Sequence, residues 1–569
     1  MTIRTPGKER VEVAAVRASS RTEVVIIGGG INGLATFRDL ALQGVDVVLV
    51  ERDDFASGAT AASSHMIHGG IRYLENGEFR LVRESVRERN ALLKTAPHAV
   101  RPLMTTIPIY STFAGILAAP LRFLRHRQGK PSQRGAVLIK IGLVIYDLFS
   151  REGGTLPRHS FVGRRRALEA LPDLDPGIAY TATYFDASLP EPERLALDVM
   201  LDGEAAHPTA RALNYVEAVG FDEHGVRVRD RETGQEFGIE AKLVINCSGP
   251  WTDLTNAALG VDSQFMGGTK GSHIVLDHPE LFEATRGREI FFEHSDGRIV
   301  LVYPLKDRVL VGTTDIDADP REPAVCTEEE VDYFFDLVRH VFPGIAVSRD
   351  EIVYRYAGIR PLPRHEDTQP GFVSRDYRLE VSQLGELPLI SLVGGKWTTF
   401  RALGASLTDK ALHLLQRART TSTLTLPIGG GRSYPKGELE QQQWRRRQLR
   451  RQNDDRQRVL FERYGTRAAE VAKFIDAADD APILDNELST REAQWMAVHE
   501  RVVRLADVIF RRTDLAFRGL IDQERLESIA AELAAALGWT PERQRLEIEE
   551  CVAELRLEHG VRVDAEPVR

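Results

Sequence analysis

One glycine-rich turn constrains the fold of this 569-residue chain more than any other feature of its sequence. A run of apolar β-forming residues leads directly into the turn 28–33, of sequence GGGING, and an amphipathic stretch and a second apolar run follow. This order predicts a strand, turn, helix and strand that bind a dinucleotide. Gly28 permits the tight turn, Gly30 lets the backbone approach the pyrophosphate, and Gly33 lets the helix pack closely on the strand. The pyrophosphate is then expected at the helix N-terminus.

The residue that ends the second apolar run is acidic. Glu51 can accept hydrogen bonds from both hydroxyls of an adenosine ribose, which disfavours a 2′-phosphorylated nucleotide. An ordinary strand, helix and strand crossover without a ligand is the alternative interpretation, because glycine-rich turns are common.

Length and charge limit the classes of protein to which the chain can belong. A chain of 569 residues exceeds a single hydrophobic core and predicts two or three domains. Its net charge of −9 and isoelectric point near 6.0 argue against a dedicated nucleic-acid binder. The three cysteines, Cys247, Cys326 and Cys551, are scattered, so we predict neither a metal cluster nor a disulfide framework. This cysteine usage favours a reducing compartment.

Two regions bear on contact with membranes. Residues 1–22 are polar and mixed in charge, and we expect a disordered tail there rather than a signal peptide. No stretch reaches about 18 uninterrupted apolar residues, so no spanning helix is predicted. Residues 103–149 are expected to be helical, and 113–127 to be an interfacial helix or an internal amphipathic one. The arginine-rich stretch 444–451 is interpreted as a solvated helix face, with a nucleic-acid or lipid patch as the alternative.

Strand signals in the second half of the chain divide between two sheets. The strand at 243–246 is expected to rejoin the nucleotide domain. A meander of three short strands, at 289–293, 299–303 and 309–312, predicts an antiparallel substrate domain. Pro and Gly residues in 424–437 mark a linker, beyond which helical periodicity predicts an all-helical domain.

Seven short segments in a fixed order point to a family. They are the turn 28–33, 68–75 (HGGIRYLE), 270–275 (KGSHIV), 312–315 (GTTD), 358–362 (GIRPL), 374–377 (SRDY) and 394–399 (GGKWTT). With these segments the chain resembles the FAD-dependent glycerol-3-phosphate dehydrogenases over residues 23–410, and more weakly through 510–513 (FRRT).

The resemblance implies a bound FAD and oxidation of sn-glycerol 3-phosphate to dihydroxyacetone phosphate by hydride transfer to the flavin. It also implies delivery of the electrons to ubiquinone or menaquinone. The expected protein is therefore a cytoplasmic flavoprotein of glycerol metabolism, peripherally attached to the inner face of the cell membrane. A polyol phosphate is the expected substrate, nucleic acid is not an expected partner, and a homodimer stays open.

The expected fold class is α/β. It comprises a Rossmann-type FAD-binding domain, an antiparallel-sheet substrate domain as in glutathione reductase and D-amino-acid oxidase, and an all-helical C-terminal domain. The FAD-binding domain is expected at 23–100, 205–260 and 355–410, the substrate or cap domain at 101–204 and 261–354, and the helical domain at 437–569.

Two places depart from the family's pattern. His65 stands where the family usually has lysine. The stretch 184–194, YFDASLPEPER, is one residue longer than the family's Tyr-x-Asp-x-x-x-Asp-Asp-x-Arg and lacks its Asp pair. If this stretch lines the substrate entrance, the polyol phosphate could differ from glycerol 3-phosphate.

The expected catalytic residues are His273, Arg360 and Lys396. His273 is the expected acceptor of the hydroxyl proton, because an imidazole exchanges protons near neutral pH. A strand histidine satisfied by backbone is the alternative, and His68 is a weaker rival. The Gly395-Lys396 turn precedes a helical segment and would stabilise charge on a reduced flavin, with a plain helix-capping turn as the alternative.

Arginines are the expected phosphate ligands, because a guanidinium fork matches phosphate oxygens bidentately. Arg360 and Arg375 are the better candidates, and Arg72, with Tyr73 beside it, is the third; surface ion pairs are the alternative. The expected substrate-binding set is Arg72, Tyr73, His273, Arg360 and Arg375. The expected cofactor-binding set is Gly28, Gly30, Gly33, Glu51, Ser63, Ser64, Gly249, Trp251, Gly395, Lys396 and Thr398.

Three other functions stay open. The substrate could be a longer polyol phosphate such as erythritol phosphate. The chemistry could be amine oxidation as in amino-acid oxidases, although three candidate phosphate arginines argue against it. The protein could also be a flavin-binding sensor without turnover, although the joint presence of His273, Arg360 and Lys396 argues against this.

Overall fold

The structure is a computed structural model that describes residues 9–71, 78–113, 135–151, 154–293, 298–364 and 376–563. Strands lie at Val24–Ile27 (β1), Val47–Val50 (β2), Met66–Ile67 (β3), Arg101–Ile109 (β4), Ser160–Gly163 (β5), Tyr180–Ser188 (β6), Arg211–Leu213 (β7), Val216–Asp222 (β8), Gly225–Asp230 (β9), Glu236–Ile239 (β10), Leu243–Asn246 (β11), Thr269–Leu276 (β12), Glu289–Glu293 (β13), Ile299–Leu305 (β14), Arg308–Gly312 (β15), Ile316–Asp317 (β16), Ile352–Arg360 (β17), Arg378–Leu384 (β18), Leu387–Val393 (β19), Pro482–Leu484 (β20) and Leu488–Ser489 (β21).

Helices alternate with these strands and dominate the last quarter of the chain. The α-helices are Val11–Ser19 (α1), Ile31–Leu42 (α2), Phe79–Thr95 (α3), Ala136–Ser150 (α4), Arg164–Ala170 (α5), Pro192–Ala206 (α6), Thr252–Ala258 (α7), Pro279–Ala284 (α8), Glu328–Val341 (α9), Phe400–Leu414 (α10), Gly437–Gln448 (α11), Asp454–Tyr464 (α12), Ala468–Ile475 (α13), Thr490–His499 (α14), Leu505–Asp507 (α15), Gln523–Leu537 (α16) and Pro541–Leu557 (α17). Short 3₁₀ turns lie at Gly249–Trp251, Arg349–Glu351, Trp397–Thr399, Gly429–Gly431 and Gly465–Arg467, and a π-helix at Val508–Arg512.

The first sheet holds the predicted dinucleotide unit. Its strand order is β18-β19-β11-β1-β2-β7, with β1 parallel to both β2 and β11. Every residue of β1, β2 and β11 is buried, as expected for parallel strands covered on both faces. Helices α2, α6 and α10 pack on one face, and the β8-β9-β10 sheet packs on the other. The expectation that 243–246 rejoins this sheet is confirmed.

The second sheet is larger and mainly antiparallel. Its order is β16-β12-β15-β14-β13-β4-β6-β3, with β17 paired to β12 and β5 to β6. Strands β13, β14 and β15 form the predicted meander. Helix α9 begins with a Thr327 capping box and buries its apolar face against this sheet. The α/β fold class with an antiparallel second sheet is therefore confirmed.

The tail expected at 1–22 is wrong for the part that the structure describes. Helix α1 occupies it, with Val13 and Val16 buried against the β8-β9-β10 side of the first sheet. Arg10 precedes the helix and donates hydrogen bonds to the side chain and backbone of Asn214, at 2.8 and 2.7 Å. A helix this short is stabilised by tertiary contacts rather than by its own propensity, which is why a polar sequence concealed it.

Residues 103–149 are not one helical region. β4 pairs with β6 along its whole length and lies inside the larger sheet, because its alternate side chains pack on either face. Helix α4 does follow, at 136–150, and most of 113–127 lies outside the described residues. The first residues of the segment 355–410, assigned above to the FAD-binding domain, belong to β17 and hence to the larger sheet.

The C-terminal part is helical from α11 to α17 except for the small β20-β21 hairpin, which the sequence did not predict. Its core is continuous with the larger sheet, since Val275, Tyr303 and Tyr354 belong to the same buried cluster. Among the described residues, no helix combines the length and apolar character needed to cross a membrane.

Candidate active site

A cavity of about 740 Å³ lies where the first sheet, strand β17 and the C-terminal domain meet. Residues from all three regions line it, among them Gly28, Glu51, Trp251, Tyr356, Arg511 and His559. The predicted dinucleotide turn and the second sheet therefore line the same cavity.

The dinucleotide turn is shaped by close backbone contacts. Gly28 has a φ of +111°, and a Cβ there would lie 2.6 Å from the Cys247 carbonyl oxygen. A Cβ on Gly33 would lie 2.0 Å from the Gly28 carbonyl oxygen. Gly30 precedes α2 and provides no side-chain cap, while the Ile31 N–H at the start of the helix donates to the Thr60 hydroxyl at 3.0 Å, so the helix N-terminus lies at the cavity beside Thr60. Glycine at 28 and 33 therefore lets β1, the turn and α2 pack backbone against backbone.

Glu51 lies at the end of β2, as predicted, and is held by its own loop. One carboxylate oxygen accepts from the Gly29 N–H at 2.7 Å, and the other accepts from the Asp53 N–H at 2.9 Å. Burial, with the nearby Asp53 carboxylate, raises the pKa of Glu51 to about 7. The carboxyl lines the cavity beside the glycine turn, where an adenosine ribose would lie.

The predicted cofactor segment 394–399 contacts the chain on both sides of β3 and the dinucleotide turn. The Trp397 indole donates to the Thr60 carbonyl at 2.9 Å, and the Thr398 hydroxyl donates to the His68 carbonyl at 3.0 Å. Gly395 has a φ of +110°, and a Cβ there would lie 2.8 Å from the Asn32 amide, within the dinucleotide turn. The segment 394–399 thus closes against the turn 28–33.

The segment around Trp251 approaches the same loop from the other side. Gly249 has a φ of +62°, and a Cβ on Gly58 would lie 3.0 Å from the Trp251 ring. The Trp251 indole donates to the Pro320 carbonyl at 2.8 Å. The indole therefore lies over the loop and forms part of the cavity wall.

His273 is enclosed by its neighbours in the larger sheet. Its partners in register are Gly312 on β15 and Tyr356 on β17. The imidazole stacks on the Tyr356 ring with centroids 4.9 Å apart and planes 13° apart, while a Cβ on Gly312 would lie 2.2 Å from Cδ2. The Tyr356 hydroxyl donates to the Ser63 carbonyl at 2.7 Å. These contacts fix the plane of the imidazole.

The two ring nitrogens of His273 differ in their polar contacts. Nε2 lies 2.8 Å from the Ser64 hydroxyl, and Nδ1 is buried with no hydrogen-bond partner among the described residues. Burial, followed by the positive charge of Arg360 and by His65, holds the pKa of His273 well below its ordinary value. The imidazole is therefore neutral at pH 7.

Arg360 lies on the same face of the sheet as His273. Nη1 donates to the Asp315 carboxylate at 2.9 Å, and Nη2 donates to the Thr313 hydroxyl at 3.1 Å and the Thr314 carbonyl at 2.8 Å. The guanidinium passes over Gly271, where a Cβ would lie 2.0 Å from Nη2. Since positions two apart in a strand share a face, Gly271 provides the space that brings Arg360 towards His273.

The remaining predicted residues lie in different surroundings. Lys396 donates from Nζ to the Ser85 hydroxyl of α3, which ties the 394–399 segment to that helix. Arg72, Tyr73 and Arg375 lie outside the described residues.

His65, the first departure from the family pattern, is buried in the wall between the sheet and the C-terminal domain. Nδ1 lies 2.9 Å from the Pro190 carbonyl, and the ring lies 5.1 Å from that of Phe517. Burial lowers the pKa of His65 to about 4, so the ring is neutral at pH 7. A lysine at this position would place a positive charge where this chain has none.

The second departure, the stretch 184–194, divides into two parts. Asp186 is buried on β6 and accepts from the Arg89 guanidinium at 2.8 Å, the Tyr146 hydroxyl at 2.5 Å and the Gly69 N–H at 2.9 Å. This network holds the segment that contains His68. Only the second part, from 190 to 194, lines the cavity.

Several residues of this site escaped prediction. Tyr356 is a tyrosine within an ordinary strand pattern, and Gly271 and Gly312 are glycines within strands. A glycine inside a strand can mark the close approach of another group, and this was the available signal. The partner of Tyr356 across the sheet could not be known without the register of β12 and β17.

The residues present fit an FAD. Gly28, Gly30 and Glu51 line the cavity beside the N-terminus of α2, where the pyrophosphate and the adenosine ribose of an FAD would lie. The cavity continues from this turn to Tyr356, the ring on which His273 stacks.

Comparison with known proteins agrees with this geometry. The model of the FAD dependent oxidoreductase family matches residues 23–399, and that of the C-terminal domain of alpha-glycerophosphate oxidase matches 421–544. Glycerol-3-phosphate dehydrogenase of Synechocystis sp. is 33% identical, over 92% of this chain and 94% of its own. D-erythritol 1-phosphate dehydrogenase of Brucella abortus is also 33% identical, over 72% of this chain and 77% of its own.

The fold agrees with a solved structure. The structure of the glycerol-3-phosphate dehydrogenase from Bacillus halodurans, complexed with FAD, matches this chain with a TM-score of 0.74 at 24% sequence identity. The match covers 96% of this chain and 97% of the Bacillus chain. One family model spans more than half of the chain, and a relative is 33% identical across most of it. The chain therefore belongs to the FAD-dependent glycerol-3-phosphate dehydrogenase family, and its cofactor is FAD.

Proposed function

We propose that the protein oxidises sn-glycerol 3-phosphate to dihydroxyacetone phosphate and passes the electrons to ubiquinone or menaquinone. The observation that supports this most is the environment of His273, a neutral imidazole that stacks on Tyr356, whose residue lines the cavity that begins at the dinucleotide turn. A secondary alcohol needs a base of this kind when it loses a hydride. The relatives named as glycerol-3-phosphate dehydrogenases support the substrate.

We assign a different role in the reaction to each of several residues. The flavin, when bound, supplies the hydride acceptor. We place the hydroxyl proton of the substrate on Nε2 of His273, because this nitrogen already lies within hydrogen-bond distance of a hydroxyl, that of Ser64 at 2.8 Å. Tyr356 keeps the ring in its plane, and Asp315 keeps the Arg360 guanidinium nearby to bind the substrate phosphate. Arg72, Tyr73 and Arg375 remain candidate phosphate or substrate ligands.

A membrane-bound quinone requires contact with a membrane, and we assign this contact to the cytoplasmic face of the membrane. Helix α4 supports the assignment. Leu143 and Tyr146 are buried on one side of it, whereas Val137, Ile141, Val144 and Leu148 are exposed on the other. This spacing forms one apolar stripe along the helix, with which it can lie in the interfacial region of a bilayer.

A longer polyol phosphate is the second candidate substrate. The relative named D-erythritol 1-phosphate dehydrogenase supports it. In this chain the cavity wall contains neutral His65 and the segment 190–194, both of which depart from the family pattern. These residues can alter the space and charge offered to the substrate.

A panel of three-, four- and five-carbon polyol phosphates tests the proposal. Each is mixed with the oxidised holoenzyme without oxygen, and kcat/KM is then measured with a soluble quinone. We expect glycerol 3-phosphate to bleach the flavin and to rank first. A higher rank for a four-carbon phosphate would replace the substrate with the second candidate, and no bleaching by any of the phosphates would refute phosphate recognition.

A further inference from the structure

A buried ion cluster joins the C-terminal domain to the loop that follows β2. The Asp54 cluster comprises Asp54, Asn214, Arg511 and Arg512. Asp54 accepts from Arg511 Nε at 2.5 Å, from Arg512 Nη1 and Nη2 at 2.6 and 3.0 Å, and from the Asn214 amide at 2.9 Å. Two arginines of one domain thus converge on a carboxylate of another.

The local backbone places both arginines. They end the π-helix Val508–Arg512, a rare conformation that often occurs at functional sites. Arg511 also donates to the Asp507 carboxylate at 3.0 Å, which accepts from the Tyr215 hydroxyl at 2.6 Å. Together with Asp507, the Asp54 cluster therefore contains two buried acids whose negative charges are compensated by two buried arginines.

The cluster is connected to Glu51 through short backbone links. The Tyr215 N–H donates to the Asp53 carbonyl at 2.9 Å, and the Val216 N–H donates to the Glu51 carbonyl at 2.8 Å. The Asp53 N–H in turn donates to the Glu51 carboxylate at 2.9 Å. The position of the loop 51–54 therefore sets the direction of the Glu51 carboxylate.

Glu51 and the Asp54 cluster both contribute residues to the cavity wall. Glu51, Asp53, Asp54, Tyr215 and Arg511 all line it. Buried ion pairs contribute little net stability compared with apolar packing, because desolvation offsets their attraction. Their fixed geometry, however, can define the position of a loop.

We propose that Arg511 and Arg512 are positioning residues for the FAD. Through Asp54 they hold the loop 51–54 so that Glu51 faces the adenosine ribose. The C-terminal domain thereby completes a binding site that otherwise belongs to the first sheet. This inference concerns retention of the cofactor and does not depend on which polyol phosphate is oxidised.

The test compares FAD binding in matched variants of the full-length protein. Arg512→Met removes the two hydrogen bonds that Arg512 donates to Asp54 and leaves those of Arg511 and Asn214. We expect the Kd for FAD, measured by flavin fluorescence, to rise roughly 10-fold to 150-fold, the effect of losing one oriented charge-assisted hydrogen bond between Glu51 and the ribose. Arg512→Lys keeps the charge and should restore part of the affinity.

Arg456→Met is the control. Arg456 forms an equally buried ion pair with Glu492 within the C-terminal domain, and neither is among the described residues that line the cavity. We expect Arg456→Met to lower the unfolding temperature by about as much as Arg512→Met does, and to leave the Kd for FAD unchanged. Equal FAD affinities for the two variants would overturn the proposal and leave the cluster a structural contact only.

A double-variant cycle tests the route through Glu51. If Arg512 acts by orienting Glu51, combining Arg512→Met with Glu51→Gln should weaken FAD binding no more than the stronger single change. Fully additive losses would contradict this route. Should Arg512→Met fail to fold, Asp54→Asn preserves the side-chain shape, and the same two outcomes decide the question.

Discussion

At the scale of single residues, three neighbouring strands give His273 its properties. Gly312 leaves room for the ring, Tyr356 stacks on it, and the nearby Arg360 guanidinium helps to keep it neutral. The choice of His273 could be made from the sequence, because the segment 270–275 resembles the family. The supporting residues could not be chosen, because they become neighbours only through the register of β12 with β15 and β17.

Tyr356 should act on the reaction through His273. Replacing it with Leu removes the stacking and should slow flavin reduction about 2-fold to 10-fold, in line with the strength of aromatic pairs. Tyr356→Phe keeps the ring and should stay closer to the wild-type rate. Because burial is the main cause that holds the pKa of His273 down, the space left by Leu should let this pKa rise, and the pH profile of the Leu variant should differ from those of the wild type and the Phe variant. Stopped-flow reduction rates between pH 5.5 and 7.5 give the comparison, and identical Leu and Phe profiles would rule out positioning by stacking.

Arg360 should bind phosphate through its planar fork. Arg360→Lys keeps the charge but loses the paired donors, so the apparent affinity for a phosphorylated substrate should fall roughly 10-fold to 150-fold. Reduction by unphosphorylated glycerol at high concentration is the control and should be unaffected. Equal losses with both substrates would show that the arginine supports the fold rather than the phosphate.

At the scale of elements, predictions succeeded where the periodicity of the sequence matches local structure. The β1-turn-α2-β2 unit and the β13-β14-β15 meander were predicted, because apolar runs and turn residues define them locally. Strand β4 was mistaken for a helix, since its long pairing with β6 is a tertiary contact. Helix α1 was missed for the same reason, because tertiary contacts hold it, among them those of two buried valines and the hydrogen bonds of Arg10.

Helix α4 should bind lipid through its exposed stripe. Replacing Ile141 and Leu148 together with Ser should lower partitioning onto vesicles of anionic and zwitterionic phospholipid by more than about tenfold, since burying one such side chain contributes roughly 1.5 to 3 kcal/mol. Leu439→Ser with Val498→Ser is the control, because these residues are also exposed but lie in the C-terminal domain. Vesicle sedimentation measures the partitioning, and equal losses in the two pairs would remove the assignment to α4.

At the scale of the whole molecule, buried carboxylic acids should make stability depend on pH. Glu289 accepts from the Thr105 hydroxyl at 2.7 Å, and burial raises its pKa to about 8. Because the folded pKa lies above the unfolded one, the stabilising contribution is complete below about pH 4.5 and is lost as the pH rises through 8. The free energy of unfolding should therefore fall between pH 6.5 and 8, by at most about 1.4 kcal/mol per pH unit for this group.

Glu289→Gln isolates this contribution, because it keeps the shape but cannot ionise. The variant should be more stable than the wild type at pH 8.5, and its unfolding temperature should change less between pH 6.5 and 8.5. His65 and His559, whose pKa values burial lowers to about 4, act mainly below this window. A variant with the same pH slope as the wild type would show that Glu289 is already ionised in the folded protein.

The proposed role of His273 is to take the hydroxyl proton as the substrate loses its hydride to bound FAD. Anaerobic mixing of the oxidised holoenzyme with glycerol 3-phosphate, followed by flavin absorbance, tests it most directly. The wild type should bleach, and His273→Asn should bleach roughly 10² to 10⁴ times more slowly at pH 7, with a much smaller change in substrate affinity. Near-normal bleaching in the variant would contradict the role of His273, and no bleaching in the wild type would contradict the proposed reaction.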